Sequence, residues 1–346
     1  MDQKVVTLKD ISEHLGVSVT TVYKALNHKP KVGDELREKI LDTAAKMGYI
    51  PNRMAQALAR KPLTIAAVVP KYPEEFMIYI EQGVRSAFEE LKSFNVTGIL
   101  EVVKDKQEVE SAWKSLYQYG VSGIVSCFNQ YNKGISSFLD EMPHFDIPII
   151  AITTIPRDNT PCIGKFLASG KALGRMAGQL LGMFCAPRAP VACLIPDLIV
   201  DIHVNTVQAF SKECVVWNLD YRGTFFSTHN NDETYDVTEK LLAEQPDLQG
   251  LYVGSSNSYP VCKCVEDKGL EKQIRIIGHD LYPNLADCLR KGTLTASLFQ
   301  NQNDNAHKSV IGLFNYLWKA QTAFQSQYYR PEVVMKANLD LYQDMY

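Results

Sequence analysis

The chain has 346 residues, 46 % of them apolar and 22 % charged, with a formal net charge of −3. That is the composition of a globular chain too long for one small core. No run approaches 18 apolar residues and the opening MDQKVVTLKD has no apolar stretch, so neither a membrane span nor a signal peptide is expected. The charge is uneven: residues 1–62 hold 11 Lys/Arg against 7 Asp/Glu, and the remainder 25 against 32. A basic head on an acidic body fits a nucleic-acid module joined to something else. The eight cysteines are scattered in a chain that needs no disulfide framework, so reduced, mostly buried thiols of a cytoplasmic protein are expected. Cys262 and Cys264, two apart on an expected helix, face different ways, which argues against a zinc site. No metal or cofactor is expected.

Three short helices are predicted in the head. Thr7 caps the first, with Asp10 completing a box-like start, Ile11 and Leu15 on its apolar face, and Gly16 at the turn that follows. Ser18 caps a second helix that runs to about Leu26 and turns Val22, Ala25 and Leu26 inward. A third, from about Asp34, carries Leu36, Ile40, Ala44 and Met47 at helical spacing and ends at Gly48. Two helices joined by a tight Gly-containing turn and braced by a third form a helix-turn-helix, whose second helix meets the major groove with its N-terminal residues. Val19 suits thymine methyls, Thr20 base edges, and Lys24, Lys29 and Lys31 phosphates. A bundle for protein contacts is the other reading of this pattern.

After the head, YIPNRMAQALAR holds good helix formers from Pro51 onward but stops at Lys61-Pro62, too short for a helix stable on its own. TLKDISEHLGVSVTTVYKALN, followed by REKILDTAAKMGYIPNRMAQALA, closely resembles the head of the lactose-repressor (LacI/GalR) family of bacterial transcription regulators. The resemblance implies a hinge over Asn52–Ala59 that becomes helical when a dimer sits on a palindromic operator, with Leu58 entering the minor groove. A leucine wedge there unstacks a base step at a cost of a few kcal/mol, which contacts elsewhere offset. The DNA-binding residues it implies are Thr7, Leu8, Ser18, Val19, Thr20, Thr21, Tyr23, Lys24, Asn27, Lys31, Asn52, Arg53, Ala55, Gln56 and Leu58. Tyr23 departs from the small residue usual in the family.

From residue 63 the chain alternates continuous β-branched runs with helices, the pattern of parallel sheets covered on both faces. The strands are LTIAAVVP, VTGILEVV, VSGIVSC, IPIIAIT, PVACLIP, YRGTFFST, LQGLYVGS, IRIIGHD and LTASLFQ, with helices between them, one near 131–141. The α/β class with two sheets predicts two lobes and a cleft at the carboxyl ends of the strands. The family resemblance implies the same, a periplasmic-binding-protein-like effector domain. The expected division is a head over 1–50, a hinge over 51–62 and an effector and dimerisation domain over 63–346. Within that domain the first lobe takes about 63–160 and 300–330, and the second about 161–299 and 331–346. No GxGxxG follows a strand, and GSSNS lacks a nucleophile-elbow context, so catalysis is not expected.

Effector contacts are expected from Phe76, His203, Asn205, Thr206, Ser255, Asp280 and Gln300, with Asp280 and Gln300 meeting sugar hydroxyls and Phe76 a sugar's apolar face. Thr206 stands where the family often has an Arg, and Ser169 where it often has an Asp. The reading is a homodimeric regulator whose operator affinity follows a small-molecule effector, a sugar or sugar derivative. A solute receptor of the same body fold is the runner-up.

Overall fold

The computed structural model describes residues 6–26, 29–49, 61–128, 139, 141, 145–154, 160–196, 201–319 and 321–345. They fall into two compact units, Met1–Lys61 and Pro62–Tyr346.

In the first unit, Thr7 and Asp10 open α1 (Leu8–Leu15) as a capping box. The Asp10 amide donates to Thr7 Oγ1 at 3.3 Å and the Thr7 amide to the Asp10 carboxylate at 2.7 Å. Gly16 turns the chain at φ 68°, and Ser18 Oγ accepts from the Thr21 amide at 3.0 Å to start α2 (Val19–Leu26). At the end of α3 (Asp34–Lys46), the Tyr49 amide donates to Ala44 O at 2.9 Å and the Gly48 amide to Ala45 O at 3.1 Å. Gly48 takes the left-handed φ of 71° that this Schellman closure requires. Ile11, Val22, Ala25, Val32, Ile40 and Ala44 form the core between the three helices.

Arg37 adds a tie that helical periodicity does not announce. Its guanidinium donates to the carbonyls of Ala25 (3.4 Å), Lys29 (2.9 Å) and Val32 (3.2 Å), binding α3 to the segment after α2. Charge-assisted bonds of this kind contribute roughly 1.5–3 kcal/mol when removed. Arg37→Ala is expected to speed amide exchange across α2 and α3 and leave the body unchanged; unaltered exchange in the head would show the tie to be idle.

The second unit holds two sheets. The first, in the order β11-β5-β4-β3-β1-β2, is built from β1 (Leu63–Pro70), β2 (Val96–Val103), β3 (Gly123–Cys127), β4 (Ile149–Thr153), β5 (Gly164–Leu167) and β11 (Gln327–Tyr328). The second, in the order β12-β10-β9-β8-β6-β7, contains β6 (Pro190–Ile195), β7 (Asp220–Phe226), β8 (Gly250–Val253), β9 (Arg275–His279), β10 (Leu294–Phe299) and β12 (Glu332–Val334). All described pairings are parallel except β10 with β12. Both faces are covered, which is why the strands read as continuous apolar runs. Ile65, Ala67 and Val69 enter one core while Ala66 and Val68 enter the other.

The described helices of this unit are α4 (Glu74–Leu91), α5 (Lys106–Tyr119), α6 (Gly170–Phe184), α7 (Asp201–Val216), α8 (Asn231–Glu244), α9 (Ser258–Asp267), α10 (Pro283–Lys291) and α11 (Gln302–Trp318). The chain passes between sheets three times: between β5 and α6, between β10 and α11, and between β11 and β12. The first passage comes after Leu167, later than the expected residue 160. Gly164–Leu167 pairs with β4 and so still belongs to the first sheet. The helix expected near 131–141 lies mostly outside the described residues.

α6 lies unusually close to α7 because glycines recur every fourth residue on the facing side. A Cβ on Gly170 would lie 2.5 Å from Ile202 O, and one on Gly174 2.2 Å from Thr206 O. One on Gly178 would lie 2.7 Å from Glu213 Cβ. Ser169 Oγ caps α6, accepting from the Ala172 amide at 3.3 Å. No helix among the described residues is long and apolar enough to cross a membrane. All eight cysteines are free thiols, six of them buried.

Candidate functional site

In the head, the start of α2 is the exposed edge. Ser18, Val19 and Thr20 are exposed, with Thr21, Tyr23 and Lys24 half-buried behind them. Val19, apolar yet 43 % exposed, contributes nothing to the core, as a residue kept for contact would behave. The Ser18 and Thr21 hydroxyls lie 2.8 Å apart. The Lys29 ammonium stands 5.1 Å over the Tyr23 ring, so the bulky departure at Tyr23 holds a cation at this edge. Lys31 is exposed, at φ 70°. Thr7 is held in its cap, and Leu8 packs half-buried against the head core. Asn27, Asn52, Arg53, Ala55, Gln56 and Leu58 lie outside the described residues.

In the body, residues after successive strands converge on a cavity of about 520 Å³. Phe128 follows β3 and Thr153 ends β4; Pro196, Ser227 and Ser255 follow β6, β7 and β8; His279 ends β9, Asp280 follows it, and Gln300 follows β10. The first lobe supplies mainly apolar side chains, Phe76, Met77, Ile80, Phe128, Ile152 and Ala306, with Thr153, Thr154 and Gln302 beside them. The second supplies hydroxyls, imidazoles and one carboxylate, from Ser227, Thr228, His229, Ser255, Ser256, His203, Thr206, His279 and Asp280. Among the described residues lining it there is neither Lys nor Arg.

Of the expected effector contacts, Phe76, His203, Thr206, Ser255, Asp280 and Gln300 line this cavity. Asn205 does not. It lies two residues from His203, on the opposite side of α7, and its amide donates to Asp201 O at 2.8 Å. His203 and Thr206, three apart, share the cavity face.

Asp280 is 1 % exposed and sits at φ 64°, a left-handed conformation that Asp tolerates better than most residues. Its amide donates to Leu298 O at 3.0 Å, and its carbonyl accepts from the Ser297 hydroxyl. Its carboxylate accepts from Gln300 Nε2 at 3.0 Å and from the Tyr282 hydroxyl at 3.4 Å. Burial outweighs both bonds and pushes the carboxyl up to about 7. Next to it, burial and the neighbouring His203 hold the His279 imidazole down to about 3, so it is neutral at pH 7. His279 bonds the hydroxyl of Tyr252, also fully buried, at 2.6 Å. Nothing in the amino-acid pattern announces this pair: a Tyr inside an apolar strand reads as packing.

A two-lobed body with a half-polar cavity at its strand ends, on a chain that also folds a helix-turn-helix with exposed hydroxyls and lysines, defines a ligand-responsive DNA-binding protein. Residues 65–317 match the periplasmic binding protein domain family, and residues 7–52 match the bacterial regulatory proteins of the lacI family. The chain belongs to the periplasmic binding protein domain family and carries a lacI-family head; it is a transcription regulator whose DNA binding is controlled by a ligand. It is 24 % identical to catabolite control protein A of Priestia megaterium over 80 % of this chain and 82 % of that one. It is 23 % identical to the ribose operon repressor of Lactococcus lactis subsp. lactis over 81 % and 84 %. A solved glucose-galactose binding protein from Geobacillus stearothermophilus superposes with a TM-score of 0.70 at 19 % identity, covering 81 % of this chain and 99 % of that one, and shares the fold.

Proposed function

We propose that the effector is a neutral sugar or sugar derivative and that its binding sets operator affinity. The carrying observation is a cavity with a mainly apolar side around Phe76 and a mainly polar side around Asp280 and Gln300, and with no Lys or Arg among the described residues that line it. A pyranose or furanose has the same two characters, an apolar face and a rim of hydroxyls. Relatives named for ribose and for glucose and galactose support the sugar class.

The protein acts as a cytoplasmic homodimer on a palindromic operator, with no catalytic step. Val19 and Thr20 read base edges, while Thr7, Leu8, Ser18, Thr21, Tyr23, Lys24, Asn27 and Lys31 settle the helix on the backbone. The hinge over 51–62, with Asn52, Arg53, Ala55, Gln56 and the Leu58 wedge, joins the head over 1–50 to the body over 63–346. Effector binding shifts the population of lobe arrangements, and with it the population of hinges able to pair on DNA.

Selection of bound sequences from random duplex DNA, with and without a pool of neutral sugars at one fixed salt concentration, tests this. The expected product is a palindrome with a flexible central pyrimidine–purine step, enriched in one condition and depleted in the other. Equal enrichment in both conditions would remove the sugar from the reading.

A further inference from the structure

Tyr252 and His279 stand on the neighbouring strands β8 and β9, with Tyr252 Oη 2.6 Å from His279 Nε2. At the other side of the ring, His279 Nδ1 lies 3.4 Å from Gln300 Nε2, and the same Gln300 nitrogen donates to Asp280 Oδ1 at 3.0 Å. An ionised carboxylate only accepts, so Gln300 must turn its nitrogen, and not its oxygen, toward Asp280. The second N–H of that nitrogen then faces Nδ1, which accepts it when the neutral imidazole carries its proton on Nε2. Nε2–H in turn donates to the Tyr252 oxygen. Both Gln300 N–H groups are thus used inside the protein, and Gln300 Oε1 has no partner among the described residues.

We infer that Asp280 and the buried Tyr252–His279 pair together fix Gln300 as a hydrogen-bond acceptor, so that Gln300 and Asp280 select an effector presenting two adjacent donors, a vicinal diol. The inference rests on the sugar reading and narrows it. Tyr252 and His279 are positioning residues: by taking the second Gln300 N–H they hold the amide in the orientation that Asp280 sets, with its oxygen left for the ligand. A group that only accepts, such as an ether, ketone or fluorine, would face Gln300 Oε1 and the carboxylate with no hydrogen to share.

The full-length protein labelled with 15N-histidine, at pH 8 where Asp280 is ionised, tests the first link. His279→Gln assigns the resonance, and the expected state is the Nε2–H tautomer; Nδ1–H overturns the inference. Thermal shift with D-glucose, D-galactose, D-ribose and myo-inositol then finds a binding sugar, whose deoxy and deoxyfluoro derivatives are titrated. At the two positions read by Asp280 and Gln300, both derivatives are expected to lose at least about tenfold in affinity. A deoxyfluoro sugar that keeps the parent affinity wherever the deoxy sugar loses it would overturn the acceptor role. In His279→Leu the released N–H of Gln300 should raise deoxyfluoro over deoxy affinity, whereas a merely structural role would weaken all ligands alike. An Nε2–H tautomer with no sugar bound would sink the sugar reading and leave Gln300 an acceptor.

Discussion

Asp280→Asn is expected to abolish the effector response and, at the same time, to raise the melting temperature of the ligand-free protein at pH 8. The two effects share a cause. In the folded body the Asp280 carboxyl titrates at about 7 against 3.8 for a free Asp side chain, because burial disfavours its charged form. A raised pKa means that the folded state holds the proton more tightly than the unfolded state. The favourable contribution is fully present below pH 3.8 and is lost as pH rises through about 7. Above that, the folded protein carries a standing cost on the order of 2–4 kcal/mol, which asparagine does not incur. The stability gain should therefore shrink between pH 8 and pH 5, as read by thermal unfolding at both. Operator binding without effector should persist. A gain equal at the two pH values would mean that Asp280 is not the titrating group.

Gly174→Ala should be more damaging than Gly178→Ala, although the two glycines lie one turn apart on the same face of α6. At Gly174 the new methyl would sit 2.2 Å from a backbone carbonyl, Thr206 O, and 2.8 Å from the Phe210 amide nitrogen. Neither atom can move without displacing α7. At Gly178 the nearest atoms are Glu213 Cβ at 2.7 Å and Cγ at 2.9 Å; Cγ can rotate away but Cβ is fixed to α7, so this methyl also presses on the helix, from farther off. Overpacking costs about 1–3 kcal/mol and occasionally more; the expectation is roughly 3 kcal/mol for Gly174 and about 2 for Gly178. Because His203 and Thr206 ride on α7, effector affinity should fall with Gly174→Ala even below its unfolding temperature. Equal melting temperatures for the two variants would contradict the close approach of the helices.

Local rules carried the head a long way. The Thr7–Asp10 box, the Gly16 turn, the Ser18 start and the Gly48 closure are each decided by residues within five positions of one another, and sequence displays such neighbours directly. The long strands were legible for a related reason, since apolar runs such as IAAVV and IIAI have few other uses. β5, β11 and β12 were not, being two to four residues long and held in place only by strands far along the chain. The cavity divides the same way. Phe76, Asp280 and Gln300 stand near strand ends and could be named, while Asn205 was misplaced because adjacency in sequence is not adjacency on a helix. The Tyr252–His279 pair was invisible because its two members meet across β8 and β9, twenty-seven positions apart.

The three passages between the lobes also order events during synthesis. The head closes its core with Tyr49, whereas the first lobe waits for α11, whose Ala306, Val310, Leu313 and Phe314 complete it. About 270 residues separate the two, an interval of roughly 15–55 s at ordinary translation rates. For that time the nascent chain holds a finished DNA-reading module and an unfinished sensor.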